Sequence, residues 1–346
     1  MSRVTYSEAA RQAIVEEMRQ DPRVFVMGHD VQTGLYADVL QELGHERIRN
    51  TPISEAGFYG AGIGAALTGM RPVIEAAYST FFYSAMDQIV NQAAKIRYMF
   101  GGQANVPIVI RSLVAYGVGF AAHHSDRPWG LFAQAPGLKI IVPATPHDAK
   151  GLLKSALRDG NPVLSFEDFA LWGTSGDVPD GDFVVPLGVA DVKRPGSDVT
   201  VVSLAATVHL SLSAAEILEA EGISVEVVDL RTVVPLDRQT ILESVAKTGR
   251  MVVVDPAPGT CSVASEISAT VVENIFDSLK APILRLTAPQ IPVPFSSKLE
   301  KLMYPTVERI ATGARRLCTY GRNSENSSWK RGVATQDHSY WSPRIV

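Results

Sequence analysis

The sequence predicts an α/β protein of two domains, each a mainly parallel sheet flanked by helices. Two observations carry this. Short apolar segments of strand length alternate with helical ones, the rhythm of a crossover-connected sheet buried on both faces. The rhythm breaks once, at a stretch rich in Gly, Asp and Pro over 168–197, and then resumes. A length of 346 residues is enough for two such domains, each with a sizeable core.

The first helix is predicted over Ser7 to Met18, capped by Ser7, and Arg23 to Gly28 is a short strand. A loop-rich region at 29–50 holds a helix around Ala37 to Leu43. A Gly/Ala-rich helix follows Glu55, then a strand over Arg71 to Glu75 and a helix over Ala85 to Phe100. Pro107 to Arg111 is a strand, Asp148 to Arg158 a helix, and Pro162 to Phe166 a strand. Past the linker, strands at Val199–Leu204, Ser224–Asp229 and Arg250–Asp255 alternate with helices at Ser211–Glu221, Leu236–Thr248 and Ser265–Leu279. The expected division is a first domain over 1–185, a second over 186–320 and a tail over 321–346. The tail is rich in Ser, Asn and Arg yet carries Trp329, Tyr340 and Trp341, so composition fits either disorder or docking on a partner.

Composition excludes several function classes. Hydrophobic content of 46% and charged content of 20% are those of an ordinary globular chain, and a net charge of -4 gives no reason to expect nucleic acid or an anionic membrane. The two cysteines, Cys261 and Cys318, cannot build a disulfide framework and suit a reducing cytoplasm. The first residues form no apolar signal region, and no apolar run reaches the roughly 18 residues of a membrane span.

The most informative stretch is Pro52-Ile-Ser-Glu-Ala-Gly-Phe-Tyr-Gly-Ala-Gly-Ile-Gly-Ala-Ala-Leu-Thr-Gly69. A helix so poor in bulk can pack very close to a neighbour. The carboxylate of Glu55, opening it in apolar surroundings, is placed to hold or share a proton. The plainer alternative makes Ser54 an N-cap and Glu55 a favourable charge at the helix dipole. Elsewhere, Tyr78-Ser-Thr-Phe-Phe-Tyr83 is an aromatic run after a strand, and His123-His124-Ser125-Asp126 follows a Gly-rich loop. Adjacent loop histidines need not share a face, and Ser125 and Asp126 are candidates to orient His124. Ala156-Leu-Arg-Asp-Gly-Asn161 reads as a helix end, with Gly160 supplying a left-handed turn. Asp229-Leu-Arg-Thr232 reads as structural, holding a strand end and its loop.

Ile53-Ser-Glu-Ala-Gly-Phe, Gly64-Ala-Ala-Leu-Thr-Gly-Met-Arg-Pro72, Asp87-Gln-Ile-Val-Asn-Gln-Ala-Ala-Lys95, His124-Ser125, Pro136-Gly-Leu-Lys139, Asp148-Ala-Lys-Gly-Leu-Leu153 and Asp229-Leu-Arg-Thr232 recur in one order. Together they resemble the β subunit of the E1 component of thiamine-diphosphate-dependent 2-oxo acid dehydrogenases. These oxidoreductases act on pyruvate, branched-chain 2-oxo acids or acetoin. The resemblance spans residues 5 to 315 and implies a transketolase-like fold: a pyrimidine-binding domain, then a smaller assembly domain.

The resemblance also implies roles. Glu55 matches the Glu that hydrogen-bonds N1′ of the cofactor's aminopyrimidine. Phe81 matches the ring that stacks on it. His124 matches an active-site His that moves protons or orients the acyl group. The Ala156 carbonyl, Asp159 and Asn161 match a structural K+ site. Family members hold the diphosphate through Mg2+ on a Gly-Asp-Gly run followed by Asn-Asn. This chain has no Asn-Asn pair, and Gly60-Ala-Gly-Ile-Gly64 belongs to the helix after Glu55. An α subunit must therefore bring the Mg2+–diphosphate half, in an α2β2 heterotetramer that decarboxylates a 2-oxo acid, or cleaves acetoin, and passes the acyl unit to a lipoyl E2.

Departures from the family pattern cluster where the substrate entrance is expected: His29, Gln134, Arg127-Pro-Trp129 and Asp255-Pro-Ala-Pro-Gly259. They motivate a second reading, acyl or acetyl transfer to an aldehyde or ketone without E2. A third reading, a scaffold subunit without catalysis, is opposed by the retention of Glu55, Phe81 and His124.

Overall fold

The computed structural model describes residues 1–115 and 117–321, so the tail's aromatic residues lie outside the described residues. Two mainly parallel sheets form, with helices on their faces. The first has seven strands in the order Thr232–Val234, Lys139–Ile141, Val163–Asp168, Val109–Val114, Arg71–Tyr78, Val24–Gly28 and Ile48–Asn50. All pairings are parallel except that of Thr232–Val234 with Lys139–Ile141. The second has five strands, in the order Leu284–Ala288, Met251–Pro258, Val199–Ser203, Val225–Asp229 and the antiparallel edge Asp191–Arg194.

Helix Tyr6–Gln20 buries Tyr6, Ala9, Ala10, Ala13, Ile14 and Met18, and packs on helix Pro146–Arg158. Its cap is Thr5, whose hydroxyl accepts the Glu8 amide, so the helix starts one residue before Ser7. Strand Ser2–Thr5 precedes it and pairs with Ser175–Val178, from the stretch read as linker. That stretch also gives an edge strand, Asp191–Arg194, to the second sheet. The helix expected over Ala85 to Phe100 is broken. A 3-10 segment, Ser79–Ala85, leads into a π-helical Asp87–Ala93 and a short helix, Ile96–Met99. Asp87 accepts Asn91 and Gln92 four and five positions on, and the Ala94 amide reaches Ile89, the wider spacing of a π-turn.

The apolar strands bury both faces. Val24, Val26, Val73, Val109 and Val163 meet helices Tyr6–Gln20 and Pro146–Arg158. On the other face Ile74, Ile108, Ile110, Leu164 and Phe166 belong to one cluster that runs into Val202, Val228, Ile241, Val253 and Ile267 of the second half. The two halves thus share one continuous core.

Charges pin the same junction. Fully buried Asp148, on helix Pro146–Arg158, accepts Lys193 Nζ and Arg231 at 2.7 Å each. Asp191 accepts the same two cations at 2.7 and 2.9 Å. Burial alone would raise Asp148; His147, Lys193 and Arg231 outweigh it and hold the carboxyl well below its usual range. The Asp229-Leu-Arg-Thr232 run is therefore structural in a specific sense: it carries Arg231 and opens the strand that joins the first sheet.

Arg127 and Trp129, expected at a substrate entrance, are buried at this junction instead. The Arg127 guanidinium lies 4.4 Å from the centre of the Tyr304 ring and 3.7 Å from Asp168, whose other oxygen takes the Ala206 amide at 3.0 Å. A buried arginine must meet a carboxylate and an aromatic face, which draws it inward. Fully buried Asp255 has a folded value pushed up to about 6 by burial, only partly offset by the amides of Ala257 and Ala264 and by Trp129 and Arg127.

Two outcomes follow at the junction. Arg231→Ala leaves Asp148 with one cation fewer and is expected to cost about 3 kcal/mol in denaturant unfolding. Asp255 binds its proton more tightly when folded, so its contribution is complete below about pH 4 and lost as pH rises through about 6. Asp255→Asn should remove that loss, so the variant gains on the parent by on the order of 2 kcal/mol between pH 4 and 6.5. Urea midpoints at those pH values measure it.

Candidate active site

In a parallel sheet, ligands meet the crevice beyond the carboxyl ends of the strands. Strands Val24–Gly28, Arg71–Tyr78 and Val109–Val114 all run to that edge, and the segments leaving it carry the candidate residues. Ser54 holds the cap position of helix Glu55–Leu67, but its hydroxyl makes no cap bond. Glu55 opens the helix, partly exposed. The helix lies close on the sheet because Gly62 has no side chain; a Cβ there would sit 2.7 Å from Ile74 Cδ1. Gly60, Gly62 and Gly64 are all spent inside this helix. Its outward side keeps Ala56, Gly57, Ala61 and Gly64 exposed.

The helix packs on segment Ser79–Ala85, which presents Phe81. That segment is tied to the one-turn helix Ala122–Ser125. Ser79 Oγ donates to the Asp126 carbonyl at 2.7 Å, Thr80 Oγ1 donates to the His123 carbonyl, and Tyr83 donates to the Asp126 carboxylate at 3.1 Å. The ties bring Phe81 and His124 together, with ring centres 5.6 Å apart. Tyr78 stands edge-on to both, 4.6 Å from His124 and 5.8 Å from Phe81. The geometry separates the two histidines: His123 is exposed and His124 is boxed by Tyr78, Phe81 and Phe120.

Ser125 and Asp126 do not orient His124. Its Nδ1 lies 3.2 Å from the Phe120 carbonyl, whereas Asp126 is used by Tyr83 and the Ser125 hydroxyl has no partner. A carbonyl only accepts, so Nδ1 carries the hydrogen and Nε2 is the acceptor of the neutral ring.

Beneath this edge lies a buried charge network that motif reading missed. Arg111 grips Glu167 through two bonds of 2.7 and 2.8 Å and reaches Glu75 at 2.5 Å. The Tyr36 hydroxyl donates to the same Glu75 at 2.5 Å. Glu75 and Arg111 are register partners on neighbouring strands. The available signal was a charge in each of three strands otherwise buried on both faces. A cavity of about 230 Å³ opens here, lined by His29, Leu35, Glu75, Arg111 and Trp172. The His29 ring stands edge-to-face with Phe58 of the Glu55 helix, ring centres 5.2 Å apart. Tyr59, one residue on, is buried with an unpartnered hydroxyl, and burial together with the Glu55 charge pushes its pKa well up.

At the far end of the sheet the Asp159 carboxylate is already engaged, accepting the amide and side chain of Asn161 at 2.8 and 2.9 Å and bonding Lys139. The Ala156 carbonyl takes the Asp159 amide at 3.2 Å, and Arg71 binds the carbonyls of Leu157 and Asp159. Among the described residues no helix is long and apolar enough to cross a membrane.

Comparison with known proteins agrees with this architecture. Residues 2–171 match the transketolase pyrimidine binding domain, and residues 188–310 match the transketolase C-terminal domain. The chain is 45% identical to the acetoin:2,6-dichlorophenolindophenol oxidoreductase subunit beta of Cupriavidus necator, over 91% of this chain and 97% of that protein. It is 43% identical to the 2-oxoisovalerate dehydrogenase subunit beta of Bacillus subtilis, over 92% of this chain and 100% of that one. It is 44% identical to the pyruvate dehydrogenase E1 component subunit beta of Rhizobium meliloti, over 92% of this chain and 70% of that one. Among solved structures, a split-gene transketolase in an inactive β4 tetramer superposes with a TM-score of 0.77 at 23% identity, over 91% of this chain and 98% of that one, a likeness of fold. The chain belongs to the transketolase-like family of 2-oxo acid and acetoin dehydrogenase E1 β subunits.

Proposed function

We propose that this chain is the catalytic β subunit of a thiamine-diphosphate-dependent E1 dehydrogenase that decarboxylates a 2-oxo acid or cleaves acetoin. The observation that supports it best is the meeting of the Glu55 helix, Phe81 and His124 at the carboxyl edge of one sheet. Thiamine diphosphate, when bound, supplies the carbanion that attacks the substrate carbonyl. The residues fit its pyrimidine half: a carboxylate at a helix start, and a partly exposed Phe whose neighbours fix its ring. Glu55 holds or shares a proton at N1′ of that ring. Phe81 offers a stacking face, and His124 Nε2 takes or returns a proton, its tautomer set by Phe120.

In this reading an α subunit supplies the Mg2+ and diphosphate site, since the glycines after Glu55 lie within a helix, where Gly62 packs on Ile74, and form no phosphate-binding loop. Two exposed surfaces support an α2β2 heterotetramer: the small-residue side of helix Glu55–Leu67, and Tyr98, Met99 and Phe100, of which Tyr98 is 90% exposed. We assign residues 1–185 to the pyrimidine-binding unit and 186–320 to the assembly unit, with strand Thr232–Val234 crossing back. The acyl acceptor is a lipoyl E2, and the location is the cytoplasm. K+ at Ala156, Asp159 and Asn161 stays part of the proposal: the Ala156 carbonyl, bonded once to the Asp159 amide, keeps a lone pair for a cation, whereas the Asp159 carboxylate is already engaged.

Co-expression with an α subunit, then assay with thiamine diphosphate, Mg2+ and a panel of 2-oxo acids plus acetoin, tests the reading with an artificial electron acceptor. Dye reduction with one substrate is expected, with kcat at least about 100-fold lower in Glu55→Gln. A fully active Glu55→Gln complex would sink the role given to that carboxylate. Turnover only with an aldehyde or ketone acceptor would replace dehydrogenation by acyl transfer. For the cation, melting in KCl should exceed that in equimolar NaCl by about 2 °C; equal values remove K+ from the assignment.

A further inference from the structure

The second half of the chain reaches into the site through one carboxylate. Glu300 closes the short helix Ser297–Glu300 and is fully buried. Its two oxygens accept the amides of Gly117 and Gly119, each at 2.9 Å. Both glycines have left-handed backbones, φ +67° and +74°, which turn their N–H groups to the same side as an anion-binding concavity. The next residue, Phe120, supplies the carbonyl that fixes His124 Nδ1. On the other side of His124, Arg127 rests on the ring of Tyr304. One segment, 295–304, therefore holds the His124 loop from both ends.

We propose that Glu300 is a positioning residue for His124: it clamps the 117–120 loop, and the loop sets the tautomer and place of the imidazole. This rests on the catalytic role proposed for His124. Two glycines separated by one residue make a loop that is costly to order, and charge-assisted bonds to its amides are about twice as strong as neutral ones. Without the carboxylate the amides lose their partner, Phe120 drifts, and the ring loses its orientation. A small misplacement of a catalytic group lowers turnover far more than substrate binding.

The test compares the full-length chain, alone and in its α/β complex, with Glu300→Gln and Glu300→Ala. Glu300→Gln keeps the shape and one acceptor oxygen, so it reports even where the alanine variant fails to fold. Hydrogen exchange of the 117–121 segment is expected to speed up about ten-fold or more, while helix Val307–Cys318 keeps its protection. In the complex, kcat is expected to fall about ten-fold or more with KM nearly unchanged. Unchanged exchange in Glu300→Gln overturns the clamp, and a loosened loop with parental kcat overturns the positioning role. Exchange is read on the chain itself. An inactive parent complex would count against the proposed chemistry and leave the clamp to be judged by exchange.

Discussion

Asp148 cannot stay charged and buried without the two cations that reach it from the other half of the chain, Lys193 and Arg231. A buried ion deprived of its partner is strongly unfavourable, so the contact fixes the halves in one relation. The shared apolar cluster adds area to the same junction but little direction, since hydrophobic contact is non-directional. Charge geometry selects the docking, and burial of Val202, Val228 and Val253 against the first sheet stabilises it.

The site depends on that relation. His124 sits on a one-turn helix whose segment is held on one side by Ser79 and Thr80 and, through Gly117 and Gly119, by Glu300. Its order is borrowed from both halves. Glu55 and Phe81 rest on firmer ground, on a helix pressed against Ile74 and on a segment it packs against. Under both, Arg111 with Glu75 and Glu167 stiffens three adjacent strands at the edge from which the site grows. A buried network of paired charges fixes one arrangement where apolar packing alone would tolerate several.

Much of the architecture was legible because its signals are local. Apolar runs such as Val24–Gly28 and Val199–Ser203 are strands in the structure as in the sequence, and the motif order identified the family. The misreadings came where a distant partner overrode the local pattern. The Ala85 to Phe100 run has helical periodicity, yet Ser79 and Thr80 turn toward the His124 helix and Asp87 caps a wider π-turn, so the run is divided. Arg127 and Trp129 looked like entrance residues because they follow His124, but Asp168, Tyr304 and Asp255 draw them inward from other strands and segments. The stretch over 168–197 was read as a linker because its two strands, Ser175–Val178 and Asp191–Arg194, are short and are held by pairing with distant strands.

The sequence alone determined the alternation of strands and helices, the small-residue helix that begins at Glu55, and the membership of the family, since each is written in consecutive residues. Only the tertiary structure decided which groups stand together. Phe81 beside His124, Glu75 beside Arg111 and Glu300 beneath Gly117 join residues separated by between 36 and 183 positions. The two charged contacts form because buried polar groups must be matched wherever the fold brings a partner, and Phe81 meets His124 because Ser79 and Thr80 bond the 123–126 segment; no local pattern encodes either distance.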